Sequence, residues 1–259
     1  MMPVSDFDNW LEGLRRDLME RIKSSREYID YVGEVRCSGE GFYVWKKSGR
    51  VTIRRRGGAI LMQLTPFELE VVTPISINLQ FNQDWHEWYE KKLPMDLLLS
   101  GMRRYIVACE EREILRMLTE DAKVFDLSDE ELGRGELGEV IDYILSQGCY
   151  PDTLLVHPLQ LLKLLKEASF TSRWNLDQEV MIGKGRRFLG LLGDLSVYGT
   201  MILPQSTGIL YEREQVMVKK TPLSISFLDP SDQTVMLVRE DIYAWTVDDG
   251  AIAKINLKT

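Results

Sequence analysis

The two histidines, His86 and His157, are the side chains best suited to move a proton or bind a metal near neutral pH. His157 follows an apolar strand-like run and precedes a proline, so we expect it to hydrogen-bond the backbone where a helix begins. His86 has Asp84 and Glu87 nearby, but residues two and one positions apart do not share a helical face with it. Because no serine or cysteine nucleophile motif accompanies either histidine, the sequence predicts no catalytic residue and no metal site.

Two further segments could bind ions. The glycine-rich stretch GKGRRFLGLLG (183–193) lacks the order GxxxxGK[ST] of a phosphate loop, so we expect a flexible loop that leads into a strand and no cofactor. The segment from Asp126 to Asp142 contains seven carboxylates, with Arg134 as its only base. We interpret this acidic segment as a solvated surface or as an inter-subunit rim that faces a basic partner.

Composition narrows the class of protein. The 259 residues include 40 acids and 32 bases, and the net charge of -8 argues against a surface built to coat nucleic acid. The three cysteines are too widely spaced for a disulfide framework or a CxxC metal motif. No run approaches the roughly 20 apolar residues of a membrane span. We therefore expect a soluble, cytoplasmic chain without a membrane partner.

The first 60 residues predict a helix and a hairpin. Residues 5–31 have helical apolar spacing, and one face of this helix carries Trp10, Leu11, Leu14 and Leu18. Next come FYVW (42–45), a turn KKSG, and VTIRRR (51–56), which we interpret as a protruding β-hairpin. It has too few apolar side chains for a core of its own. Its basic residues are Lys46, Lys47, Arg50, Arg54, Arg55 and Arg56.

The rest of the chain mixes strands and helices, so the predicted fold class is α+β. Residues 68–81 are rich in strand-forming residues and are interrupted by Pro74, which favours an edge or bent strand. Residues 95–120 contain no proline and predict the longest helix, roughly 35 to 40 Å long. Helical and strand patterns then alternate over 122–221, and strand patterns follow from Pro222 onward.

This order of elements resembles the major capsid protein fold of tailed phages, the Hong-Kong-97-like fold, which encapsulin shells share. The family's strand, polar residue, proline and helix are matched by DTLLVHPLQLLKLLKEA (152–168). Its glycine- and leucine-rich entry to a strand is matched by FLGLLGDLSVYGTMILP (188–204). The entry to its spine helix is matched by ISINLQFNQDWHEW (75–88), followed by residues 95–120 with Glu110 and Glu111 in their middle. The early helix and SREYIDYVG (25–33) are more similar to encapsulins.

The resemblance implies four parts. They are an N-terminal helix or arm (1–33), an E-loop hairpin region (34–67), a peripheral domain with the spine helix (68–121 and 222–259) and an axial domain (122–221). In this interpretation the six basic hairpin residues contact a neighbouring subunit, with nucleic-acid contact as the competing interpretation. The face formed by Trp10, Leu11, Leu14 and Leu18 either clamps its helix onto the peripheral domain or holds a cargo tail.

The function implied by the resemblance is structural. The chain is expected to self-assemble into an icosahedral shell of pentamers, with or without hexamers, as the major capsid protein of a tailed virus or provirus around double-stranded DNA. Its location would be the virion, assembled in the host cytoplasm. The alternative is a cytoplasmic encapsulin shell around a cargo enzyme. An enzyme of small oligomeric size, with its active site in the α+β region, is the rival from another class.

Overall fold

A computed structural model describes the chain in nine stretches and shows an α+β architecture. The stretches are residues 4–27, 33–34, 43–56, 59–92, 94–129, 132–177, 181, 185–227 and 235–258. Their helices are α1 (Val4–Lys23), α2 (Trp85–Glu90), α3 (Met95–Thr119), α4 (Gly138–Ser146) and α5 (Leu161–Leu164). No helix in these stretches is long and apolar enough to cross a membrane.

The strands of the described stretches form a long hairpin and two larger sheets. They are β1 (Gly33–Glu34), β2 (Tyr43–Arg56), β3 (Ala59–Val71), β4 (Ile75–Asn82), β5 (Lys123–Leu127), β6 (Thr153–Val156), β7 (Phe170–Ser172), β8 (Phe188–Leu192), β9 (Leu195–Gly199), β10 (Thr207–Tyr211), β11 (Val216–Lys220), β12 (Ser224–Phe227), β13 (Val235–Thr246) and β14 (Ile252–Leu257). Pro74 separates β3 from β4, because proline cannot donate to a strand ladder.

The first of two compact units contains Met1–Tyr28, Pro74–Ile114 and Lys220–Tyr243. In its sheet, β13 pairs antiparallel with β4 on one side and with β12 on the other. Helix α1 has a continuous buried stripe because its apolar residues recur every three or four positions. The stripe consists of Phe7, Leu11, Leu14, Leu18 and Ile22.

Helix α1 is shorter than the sequence predicts. The apolar spacing predicts a helix over 5–31, whereas α1 ends at Lys23. The hydroxyls of Ser24 and Ser25 both donate to the carbonyl oxygen of Arg21, over 3.1 and 2.7 Å. Serine hydroxyls compete with backbone N–H groups for such carbonyl oxygens, and both serines lie directly after the last residue of the helix.

The second unit contains Ile29–Thr73, Leu115–Lys219 and Ala244–Thr259. Its main sheet has seven strands in the order β5-β14-β10-β6-β9-β8-β7. Strand β6 is buried along its whole length, as the apolar run LLV predicts. Helix α4 packs on this sheet through Leu137, Val140 and Ile144, which belong to one cluster of buried side chains with Leu154 and Val197.

The hairpin turns at a different place from the one predicted. The sequence suggests a turn at KKSG, but β2 runs straight through these residues and pairs with β3. The register shifts between Lys47 and Arg50, where three steps along β2 oppose two along β3, so one extra residue forms a bulge in a continuous strand. Arg56 at the end of β2 pairs with Ala59 at the start of β3, and the two residues between them lie outside the described stretches.

Strand β14 lies in the seven-stranded sheet. The sequence groups residues 222–259 with the peripheral domain, whereas β14 pairs antiparallel with β10 and parallel with β5 in the seven-stranded sheet. Four of its six residues are buried, which matches an interior strand covered on both faces. The predicted boundary at residue 222 therefore separates β14 from the sheet that it completes.

Candidate functional site

The β2–β3 hairpin has the geometry of an element that contacts a partner molecule. Strand β2 contains 14 residues, which at about 3.3 Å per residue gives a ribbon of roughly 45 Å. Within the described stretches, β2 and β3 make their extensive contacts with each other and with no further element. A two-stranded ribbon of this kind has marginal stability in water without a surface to pack against.

The six basic residues singled out from the sequence all lie on β2. Those at the end of the strand are Arg54, Arg55 and Arg56, and they pair with Leu61, Ile60 and Ala59 of β3. Acidic residues of β3 begin only at Glu68, which pairs with Lys46. The far half of the hairpin thus joins a basic strand to an apolar one. The side chains of Lys46, Lys47, Arg50 and the three arginines lie outside the described part of the chain, so their contact with a neighbour stays a prediction.

The apolar face of α1 lies against its own unit. Leu11, Leu14 and Leu18 are buried, with 4%, 5% and 0% of their surface exposed. Trp10 is half-buried, and its ring lies 5.5 Å from the ring of Tyr89 in α2. Phe7 contacts both rings, at 5.8 Å from Trp10 and 5.5 Å from Tyr89. This aromatic cluster fixes α1 on α2.

A buried ion cluster joins three distant segments of the first unit. Arg26 donates through Nε and Nη2 to both carboxylate oxygens of Glu110 in α3, at 3.0 and 2.8 Å. Its Nη2 also donates to Oε1 of Glu240 in β13, at 2.7 Å. The side chains are 10%, 0% and 2% exposed, respectively. One guanidinium thus contacts two carboxylates away from solvent.

The two carboxylates have different protonation states at neutral pH. Burial, reinforced by the negative charge of Glu110, raises the pKa of Glu240 to about 8. Burial also disfavours the ionised form of Glu110, but the hydrogen bonds and charge of Arg26 outweigh it and lower the pKa of Glu110. Oε2 of Glu240 is buried and accepts no hydrogen bond within the described residues, which costs more free energy for an anion than for a protonated carboxyl.

The cluster is therefore close to neutral at pH 7. Arg26 balances the charge of Glu110, and Glu240 is protonated. The nearby charge of Lys220 favours the ionised form of both carboxylates. Two neighbouring buried carboxyl groups cannot both ionise without a large cost in free energy, and this constraint separates their pKa values.

Sequence reasoning missed the cluster, although one signal for it was visible. Glu110 and Glu111 begin a charged run, EERE (110–113), in the middle of the predicted spine helix, and both are buried. Buried carboxylates require a hydrogen-bonding or charged partner. The identity of that partner was not visible, because Arg26 lies 84 residues before Glu110.

The remaining candidates have local structural roles or lie outside the described part. Nδ1 of His157 accepts a hydrogen bond from the backbone N–H of Leu159 at 3.2 Å, where a short 3-10 helix begins. The side chain of His86 lies outside the described residues. Among the described residues, no three histidine, cysteine or acidic side chains are grouped to hold a metal ion.

We predict that Glu240 makes the free energy of unfolding fall as pH rises from about 4.5 to about 8. The folded chain holds one proton more than the unfolded chain in this window, so the slope is about 1.4 kcal/mol per pH unit. The stabilising contribution of Glu240 is fully present below about pH 4.5 and is lost above about pH 8. Urea unfolding at a series of pH values should show this slope in the parent chain and not in Glu240→Gln. Glu120→Gln, an exposed control, should keep it, and an unchanged slope in Glu240→Gln would contradict the assignment.

Arg26 and Arg21 form a matched pair for testing the cost of breaking an ion pair. Removing Arg26 leaves buried carboxylates without their counter-charge, so Arg26→Met should lower the free energy of unfolding by about 3–5 kcal/mol. Arg21 pairs with the exposed Asp96, whose side chain is 84% exposed, and Arg21→Ala should cost about 1 kcal/mol or less. Urea unfolding followed by circular dichroism at pH 7 compares them. Equal losses of unfolding free energy in the two variants would contradict the larger contribution expected of the buried ion pair of Arg26.

Comparisons with known proteins identify the fold. No family model and no curated protein matches the chain. Among solved structures it is similar to the crystal structure of a virus-like particle from Pyrococcus furiosus, with 17% identity over 95% of this chain and 98% of that one and a TM-score of 0.62. It is also similar to a structure described as Mycobacterium phage Cain, with 11% identity over 91% and 90% of the two chains and a TM-score of 0.61.

A third similar structure is the holo-SrpI encapsulin complex from Synechococcus elongatus PCC 7942, determined by cryo-electron microscopy. The identity is 11% over 90% of this chain and 87% of that one, with a TM-score of 0.55. All three matches span nearly the full length of both chains, so the likeness extends to the whole architecture. The chain has the Hong-Kong-97-like fold shared by tailed-phage capsid proteins and encapsulins.

Proposed function

We propose that this chain is a structural protein that assembles with copies of itself into a closed icosahedral shell. The observation that carries the proposal is the full-length fold shared with a virus-like particle, a phage structure and an encapsulin complex. A shell protein needs surfaces that find their packing partner only on another subunit. The β2–β3 hairpin supports this role because its extensive described contacts are internal.

Charge supports a second copy as the partner of the hairpin. The chain has 40 acids against 32 bases, so neighbouring copies offer acidic surface to the basic strand β2. Strand β3 adds the apolar residues that an interface core requires. Arg54, Arg55 and Arg56 at the far end of β2 can each form paired hydrogen bonds with a carboxylate. Nucleic acid is the competing partner for the same arginines.

For the contents of the shell we propose double-stranded DNA, with the chain acting as the major capsid protein of a tailed virus or provirus. The similarity to phage structures supports this choice. A net charge of -8 does not oppose it, because a packaging motor can drive DNA into a container whose wall only tolerates it. Subunits would then assemble in the host cytoplasm, and the virion would be the final location.

The second candidate is an encapsulin shell around a cargo enzyme in the cytoplasm. The similarity to the SrpI encapsulin complex favours it. In that case a cargo tail would need an apolar groove at the N-terminal helix. Leu11, Leu14 and Leu18 are already buried within their own unit, which supports helix packing and leaves Trp10 as the more accessible residue of that face.

Electron microscopy and content analysis of purified particles test the proposal. We expect negative-stain images to show closed shells, and nuclease-protected DNA in particles purified from the native source. Particles that contain a co-purifying enzyme and no DNA would establish the encapsulin alternative. Monomers or dimers alone, at high concentration and across salt conditions, would refute a shell and favour a small-oligomer enzyme.

The hairpin arginines should be needed for assembly. Replacing Arg54, Arg55 and Arg56 together by alanine removes three cations from the proposed contact, and truncating one buried interfacial charge can cost about 2–5 kcal/mol. We expect fewer shells, or shells that dissociate at lower temperature, by light scattering and microscopy. The control removes three exposed lysines outside the hairpin, Lys23, Lys91 and Lys92. Normal shells that no longer retain nucleic acid would favour the competing partner.

A further inference from the structure

Within the described stretches, β4 is the longest strand at an edge of the two larger sheets. It pairs with β13 on one side, and no other described strand pairs with it on the second side. Its eight residues form one antiparallel ladder, in which every other residue directs its N–H and C=O groups away from β13. Such a free edge is a template on which another strand can pair.

The other edge strands of these sheets are short or charged. Strands β1, β7 and β12 contain two, three and four residues, and β5 carries Lys123 and Asp126. Natural proteins use short strands, charges, prolines and bulges to keep sheet edges from pairing. The sequence of β4, ISINLQFN, has no charge and no proline, and its register with β13 runs without a shift from Val235 to Ile242. Strand β4 thus has none of these protections.

The side chains of β4 that face α3 are incompletely covered. Glu240 of β13, which shares the buried ion cluster with α3, lies beside Ile77 in the ladder and identifies this face of the sheet. On the same face Leu79 and Phe81 of the edge strand are only half-buried. The β13 residues there are buried, namely Met236, Val238 and Ile242. A strand added beside β4 would cover Leu79 and Phe81.

An exposed aromatic ring lies next to this open edge. The ring of Tyr105 in α3 is 6.4 Å from the ring of Phe81, and the two planes are nearly perpendicular. Tyr105 is 58% exposed, although its ring is large and mostly apolar. A strand paired with β4 would bring its own inward-facing side chains to these two rings. Strand addition combines main-chain hydrogen bonds with side-chain contacts of this kind.

The absence of charge in the β4 sequence favours a second β4 strand as the partner. When two copies of one strand pair across a two-fold axis, a charged residue near the axis lies close to its own copy, and like charges opposite each other are destabilising. The alternation in ISINLQFN also suits self-pairing. An antiparallel pair centred on Asn78 places Ile77 opposite Leu79 and Ser76 opposite Gln80, so that apolar residues meet apolar ones and polar residues meet polar ones. The basic strand β2 would find no acidic residue on β4.

We propose that β4 of one copy pairs antiparallel with β4 of a second copy across a two-fold axis, so that two five-stranded sheets become one continuous sheet. The contact rests on the proposed shell function, because icosahedral symmetry contains two-fold axes. It is isologous and therefore joins two copies and no more. Tyr105 and Phe81 of each copy then pack beside the β4 strand of the other copy.

Charge placed on the axis tests the contact. Asn78→Lys and Asn78→Glu each bring like charges together, so each variant should need at least about tenfold more protein for half-maximal assembly. An equal mixture of the two variants should regain assembly, because opposite charges then meet. Asn9→Lys, on the exposed side of α1, is the matched control and should assemble like the parent chain. Thermal unfolding of each variant checks that it folds.

Two results of this experiment would overturn the β4 contact and leave the shell proposal intact. One is that folded Asn78 variants assemble like the parent chain. The other is that Asn78→Glu assembles well, Asn78→Lys does not, and the mixture is no better than Asn78→Glu alone. That pattern would indicate that the basic hairpin of a neighbouring copy occupies the edge. A parent chain that forms no particles would refute the shell proposal and this contact together.

A single introduced cysteine tests the two-fold symmetry without relying on charge. Asn78→Cys brings two thiols together at the axis, so a short bis-maleimide added to assembled particles should give a covalent dimer and no larger species. Asn82→Cys, on the same face of the same strand, is the control, because its two copies would lie roughly 26 Å apart. The parent chain, with its own three cysteines, gives the background. No dimer from Asn78→Cys, or a ladder of larger species, would overturn the two-fold contact.

Discussion

The buried contact of Arg26 with Glu110 and Glu240 constrains the whole first unit. Each carboxylate is inside the unit and each belongs to a different element, α3 or β13, so a shift of either element would separate a buried acid from the guanidinium that contacts it. Apolar side chains of similar volume could stabilise the same core equally well. What they could not do is penalise alternative packings so strongly. The cluster thus selects one arrangement of the segment after α1, α3 and β13.

The second unit is held together in another way. Its sheet is buried by apolar side chains from both faces, and helix α4 covers one face through a regular apolar stripe. Exposed carboxylates lie at its periphery, on Asp126, Asp129, Glu139 and Asp142. One unit therefore uses charge to fix its interior, and the other exposes charge on its surface.

The sequence predicts elements whose cause is local. The long helix α3, the buried strand β6 and the capping role of His157 follow from apolar spacing and from the proline after the histidine. The hairpin is predicted as an element, but its turn is placed at KKSG because a bulge and a turn have the same composition. The partners of Arg26 and the strand partners of β14 were not predicted, for a different reason. The partners of Arg26 lie 84 and 214 residues away in the sequence, and the strand partners of β14 lie more than 40 residues away. No local sequence pattern encodes such pairings.

The position of β14 has a consequence for the order of folding during synthesis. Strand β14 fills the place between β5 and β10, and β5 pairs with no other strand in the described sheet. Every other strand of the sheet is made before β14 leaves the ribosome. Until then β5 has no strand partner in the described sheet, and the seven-stranded sheet is incomplete. A growing chain can complete this sheet only after the residues up to Leu257 have left the ribosome.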